Sequence, residues 1–90
     1  MIDMEYKVIK FGASWCGPCR VLEQKLKDFD KCEVIMYDVD DVDEGLLEKY
    51  KIRNVPVTLI VDENGDEISK WVGLFNISEL ESKLEELKNA

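Results

Sequence analysis

Pro18 constrains this fold more than any other residue. A proline has no backbone N–H and its ring clashes with the preceding turn, so an α-helix tolerates it only in the first turn. It stands inside Trp15-Cys16-Gly17-Pro18-Cys19, after the extended apolar run Lys7-Val8-Ile9-Lys10-Phe11 and before Arg20-Val21-Leu22. The chain is thus expected to run from a strand over residues 6–12 into a helix over residues 17–29. Along that helix Cys19, Leu22, Leu26 and Phe29 recur at helical spacing and form one apolar stripe. Cys19 should turn inward with the stripe, and Cys16, ahead of it, is free to face outward.

The junction carries chemistry. The first N–H groups of a helix have no intrahelical partner and lie at the positive end of the macrodipole. A cysteine placed there is stabilised as the thiolate, and its pKa is expected to fall from about 8.5 toward neutrality. Cys19, one turn further on, is in reach to close a disulfide with Cys16. The residues therefore predict dithiol–disulfide exchange. A metal site is the competing reading of clustered cysteines, with Cys32 as a third ligand, but the chain has no histidine and no fourth cysteine. No metal is expected, and no cofactor other than a redox-active Cys16–Cys19 disulfide. The acidic run of Asp38, Asp40, Asp41 and Asp43 lacks the glycine and glutamate spacing of a calcium loop and reads as a solvated turn. Cys32, at a strand start, reads as a bystander thiol.

The remainder alternates. Residues 32–39 read as a second strand, joined to the first by a helical connection that suits a parallel, right-handed crossover. Asp43 is the expected N-cap of a short helix over residues 44–51, with Leu46, Leu47 and Tyr50 on its buried side. After Asn54-Val55-Pro56 comes a β-branched run over residues 57–61, then a hairpin signal at Glu63-Asn64-Gly65-Asp66 and a returning strand over residues 67–72. Asn76-Ile77-Ser78-Glu79 has the form of a capping box, and Ile77, Leu80, Leu84 and Leu87 continue it as an amphipathic helix ending near Lys88. The order βαβαββα, with two parallel strands followed by a hairpin, calls for an α/β fold: a four-stranded mixed sheet with helices on both faces. Trp71 reads as packing on a sheet face.

Ninety residues suffice for a single domain, residues 1–90, with one feasible core. A formal charge of −8 argues against nucleic acid or an anionic membrane as partner and favours solubility, with steering toward basic protein surfaces as the other consequence. No stretch approaches the roughly 20 apolar residues of a membrane span. The opening Met1-Ile2-Asp3-Met4-Glu5 carries acids and no basic-then-apolar leader pattern. With three cysteines and no disulfide framework, the expected setting is a reducing one, the cytoplasm. A monomer is expected.

Several separated motifs together resemble the thioredoxin family: Trp15-Cys16-Gly17-Pro18-Cys19, Tyr50-Lys51-Ile52-Arg53-Asn54-Val55-Pro56, the Asn64-Gly65 hairpin, and Val72-Gly73 ahead of the last helix. The likeness extends from Tyr6 to the end of the chain. It implies a thioredoxin-like fold and a protein-disulfide reductase in which Cys16 attacks and Cys19 resolves. It further implies that Pro56 is a cis-proline beside the disulfide. Trp15, Gly17, Pro18, Val55 and Gly73 would form a shallow apolar groove for a segment of a disulfide-containing client protein. Electrons would come from a thioredoxin reductase or from glutathione. Two alternatives stand beside this: a glutaredoxin-like, glutathione-coupled oxidoreductase, and a redox-inactive binding module on the same fold.

The chain departs from the family pattern in three places. Residues 1–5 are too few for the strand and helix that members of the family carry first, so a small, glutaredoxin-sized form is expected. Lys10 stands where many members place a buried aspartate, and Met36 where they place a neighbouring lysine. Lys10 is thus a candidate modulator of the cysteines, accepting the resolving thiol's proton as an amine or favouring thiolates as an ammonium. The plainer expectation is that it reaches solvent or pairs with a nearby acid such as Asp38 or Asp40. Val57 follows Pro56 where threonine is common, which reads as packing.

Overall fold

A computed structural model describes residues 5–89. Residues 1–4, where the leader pattern was sought, and residue 90 lie outside them. The expectation that a first strand and helix are lacking falls on residues 1–5, of which only residue 5 is described. The element order is β1 (Lys7–Gly12), α1 (Gly17–Leu26), β2 (Glu33–Asp38), α2 (Glu44–Lys49), β3 (Val57–Val61), β4 (Glu67–Val72) and α3 (Ile77–Lys88). The strands form one mixed sheet in the order β2-β1-β3-β4. β1 runs parallel to β2 and antiparallel to β3, and β3 pairs antiparallel with β4. The two central strands are therefore β1 and β3, and they are the most apolar; every residue of β3 is buried.

Alternation along β1 divides the core. Val8 lies with Leu22 and Leu26 of α1, Ile60 of β3, and Leu80 and Leu84 of α3 in one cluster. Ile9 and Phe11 point the other way and join Tyr50, Val57, Leu59 and Val61, with Leu46 and Leu47 of α2 packed against them. Helices thus cover both faces, since each face is apolar and would otherwise be left in water. Trp71 stacks on Phe75 with ring centroids 4.9 Å apart, against the first cluster.

Three local details differ from the sequence pattern. α1 stops at Leu26 rather than Phe29, and the Phe29 N–H bonds to the Leu26 carbonyl at 3.0 Å in a tight turn. Asp28 and Asp30 follow directly, and carboxylates at a helix C-terminus oppose the dipole. Phe29 still reaches the core, through the turn instead of the helix. α2 ends at Lys49, where Lys51 takes a positive φ of 54° and the Ile52 N–H returns to the Leu47 carbonyl at 2.9 Å. Lys70 then caps that end by donating to the Tyr50 carbonyl at 2.9 Å. The hairpin is organised by Asp62, whose Oδ1 accepts the N–H groups of Asn64 and Asp66 at 2.9 and 3.0 Å, while Gly65 takes a φ of 81°.

Candidate active site

Gly12 ends β1, and a short turn in which the Cys16 N–H donates to the Ala13 carbonyl at 3.1 Å carries the chain to α1. Cys16 is the N-cap residue, with extended φ and ψ of −96° and 109°, and proline occupies the first turn as its ring requires. The Cys19 N–H donates to Cys16 Sγ at 3.2 Å. The sulfur thus does what a serine or aspartate oxygen does at other helix starts. No acidic side chain lies in that first turn to compete for the unpaired N–H groups. Cys16 and Cys19 are joined by a disulfide, their Cα atoms 5.3 Å apart.

Cys19 is fully buried, in line with its place on the α1 stripe. Cys16 does not stand outward as its position ahead of the stripe suggested; it is 6% exposed. The bond to Cys19 draws it back, and Ala13, Val39 and Val55 close around the two sulfurs. What stands free is its neighbour. Trp15 is 68% exposed, and its ring is held by a bond from Nε1–H to Asp40 Oδ2 at 3.1 Å.

Across from the cysteines the Val55–Pro56 peptide is cis. The Pro56 carbonyl accepts the Gly73 N–H at 2.8 Å, so the chain before β3 and the chain after β4 are tied together. Gly73 holds a φ of 87°, which a residue with a Cβ adopts only at a cost. A cavity of about 400 Å³ opens beside Trp15 and is lined by Val39, Leu47, Ile52, Arg53, Asn54 and Val55. Of the expected groove residues, Trp15 and Val55 line it. Gly17 and Pro18 are exposed at the start of α1, and Gly73 sits beyond Pro56; none of these three lines the cavity. Sequence reasoning missed Val39, Leu47, Ile52, Arg53 and Asn54. Ile52, Arg53 and Asn54 stand in the motif that ends at Pro56 and directly precede Val55, which was a signal for them; Val39 and Leu47 come from separate segments that only the fold brings beside that motif.

Lys10 does not reach solvent; it pairs with an acid, as expected, but the acid is Glu23 rather than Asp38 or Asp40. It is 1% exposed, and its Nζ donates to Glu23 Oε1 of α1 at 2.7 Å. Lys10 shares a face with Val8, under α1, and Glu23 of that helix is the acid that meets its Nζ, while Asp38, in register with Gly12 further along β2, accepts the Asp40 N–H instead. A signal for Glu23 was present, since it falls one helical turn after Cys19 on the helix that covers this face. In register Lys10 lies between Met36 of β2 and Thr58 of β3. Cys32 is a free thiol just ahead of β2, and burial pushes its pKa up, with the Lys88 charge opposing.

The model of a Thioredoxin-like domain matches residues 3–88. A thioredoxin of Staphylococcus epidermidis is 38% identical over 77 residues, which is 80% of this chain and 72% of that protein. A mitochondrial thioredoxin of Bos taurus is 36% identical over 85 residues, 89% of this chain, and the match spans half of that longer protein. Among solved structures, a thioredoxin variant from Halobacterium salinarum superposes with a TM-score of 0.79 at 29% identity, over 93% of this chain and 75% of its own.

Proposed function

The chain belongs to the thioredoxin family, and from that premise we propose specific roles for the residues around its disulfide. The protein is a thiol–disulfide oxidoreductase, a protein-disulfide reductase that works by dithiol–disulfide exchange through Cys16 and Cys19. In the proposed assignment Cys16 is the attacking thiolate. One observation carries it: the Cys19 N–H aimed at Cys16 Sγ at 3.2 Å, at the start of a helix. A donor so placed gains strength when the sulfur bears charge, as does the dipole behind it. Attack on a client disulfide transfers one client sulfur to Cys16 and expels the other as a thiolate. Cys19, as a thiolate, then attacks Cys16 Sγ, expels the second client sulfur and closes the Cys16–Cys19 bond.

Trp15, Val55 and the cavity they line receive the client segment, with Gly17 and Pro18 on one side and the cis-Pro56 and Gly73 strand junction on the other. Apolar walls with Arg53 and Asn54 among them suit an extended segment of a disulfide-containing protein. The catalytic cycle needs no cofactor or metal beyond the disulfide itself. We place the protein in a reducing compartment, the cytoplasm, as a monomer, with a thioredoxin reductase or glutathione as electron donor. A free Cys32 supports such a compartment. Neither nucleic acid nor a membrane fits as partner to a chain of charge −8, and no helix among the described residues is long and apolar enough to cross a bilayer.

Insulin reduction under a dithiol donor tests the assignment. Cys16→Ser abolishes turnover, and Cys19→Ser accumulates a covalent mixed disulfide through Cys16 that gel electrophoresis without reductant resolves. Turnover retained by Cys16→Ser would place the chemistry on another thiol. Replacing the donor by thioredoxin reductase or glutathione, one at a time, separates the two routes of reduction.

A further inference from the structure

The floor beneath the disulfide is not apolar. On the α1 face of the sheet, Lys10 and Thr58 stand side by side in register, 1% and 0% exposed, next to a cluster of aliphatic and aromatic side chains. Thr58 Oγ1 has no hydrogen-bond partner among the described residues. The Lys10 ammonium is directed by Glu23, whose Oε1 lies 2.7 Å from Nζ and whose side chain is half exposed. Gly12 shows where the charge is aimed. A Cβ added there would stand 2.6 Å from Lys10 Nζ and 3.3 Å from Cys19 Cβ. Ammonium and resolving cysteine therefore border the same methyl-sized space, which exists because residue 12 has no side chain.

Cys19 is fully buried, and its thiol must lose a proton before the sulfur attacks Cys16. An anion in such a place is costly unless a charge of opposite sign is already there. We propose that Lys10 is that charge, held under Cys19 to favour the resolving thiolate, and that Glu23 is the positioning residue that holds Lys10 in place and tempers its field. The inference rests on the exchange reaction assigned to Cys16 and Cys19 above. In the step concerned, the Cys19 thiol gives up its proton to solvent as the mixed disulfide is resolved. The resulting thiolate, facing Lys10, displaces the partner sulfur from Cys16 and forms the intramolecular disulfide.

The other charged groups nearby are directed elsewhere. Arg20 donates to the Ser14 carbonyl at 2.8 Å, and Asp38 accepts the Asp40 N–H at 2.9 Å. β2 places neutral Met36 beside Lys10, β3 places Thr58, and α3 presents Leu80 and Leu84 to this face. Lys10 is the cation bordering the Gly12 space, and Glu23 is its salt-bridge partner.

Stopped-flow reaction of the reduced protein with an aromatic disulfide whose released thiolate absorbs visible light tests this directly. One equivalent appears when Cys16 attacks and a second when Cys19 resolves. Lys10→Met is expected to slow the second phase about tenfold at neutral pH and to move its pH midpoint up, as loss of an opposite charge at this range does. Glu23→Gln keeps an acceptor for Lys10 but removes the countercharge, and is expected to move the midpoint down. Two shifts of opposite sign are a signature that loosened packing does not produce. An unmoved midpoint in Lys10→Met, or a shift of the same sign in both variants, would overturn the proposal. Should Lys10→Met not fold, Glu23→Gln, on an exposed helix surface, decides by itself: a midpoint that stays or rises refutes it. A missing first phase in the unaltered protein would instead refute the exchange reaction itself.

Discussion

The two faces of β1 show how one strand serves stability and chemistry at once. Toward α2 it presents Ile9 and Phe11. Phe11 stacks on Tyr37 with centroids 5.5 Å apart and meets Tyr50 at 6.1 Å, in a cluster made of apolar and aromatic side chains. Toward α1 it presents Val8, then a buried lysine, then a glycine. The first face gains from burial at every position. On the second face, burial gives way to charge and to open space as the strand approaches the disulfide. A fold can carry a costly group where the neighbouring face holds a surplus of stability.

The largest effect expected from this contrast is on the apolar face. Phe11→Ala should cost about 3–5 kcal/mol, read by urea denaturation, because a fully buried ring leaves a cavity between Tyr37 and Tyr50. The pH midpoint of the resolving step should stay in place while the protein is folded. A moved midpoint would show that the faces are not separate. On the other face Gly12→Ala should cost about 1–3 kcal/mol, since its Cβ would fall 2.6 Å from Lys10 Nζ and force the lysine aside. Here the midpoint should rise with the loss of stability. A stability loss with no change in midpoint would sharpen the contrast differently, making the space structural.

The smallest effect lies at the far edge of the sheet. Burial raises the pKa of Cys32, so the folded protein holds that thiol's proton more tightly than the unfolded chain does. Its contribution is therefore intact below the ordinary thiol value and is lost as pH rises through and above it. Cys32→Ser should flatten the alkaline decline of stability in thermal melts recorded across that range, with insulin reduction unaffected. An alkaline decline that persists unchanged would mean another group sets it.

Much of the architecture was legible because it rests on periodicity. The alternation of β1, the Cys19-Leu22-Leu26 stripe, the unbroken β3 run and the Leu80-Leu84 stripe each specify an element and its buried side. The capping box at Asn76 was also local enough to read, and Glu79 Oε2 accepts the Asn76 N–H at 3.4 Å. The end of α1 was not, since Phe29 fits the helical stripe yet reaches the core from a turn. The role of Asp62 in the hairpin was missed because Asn64-Gly65 is the louder signal, although the aspartate makes the bonds.

By itself the sequence determined the strand–helix junction, the pair of cysteines on it and the βαβαββα order, because backbone constraints and side-chain periods act between near neighbours. The tertiary structure decided how far Cys16 is exposed, which residues wall the cavity beside Trp15, and that Glu23 is the partner of Lys10. Each of these depends on where separate elements come to lie against one another. Helical spacing puts Glu23 on the covering side of α1, but a salt bridge across 13 positions, between the floor of a sheet and the helix above it, is not specified by that spacing. It becomes visible only when the sheet is formed and the helix is laid over it.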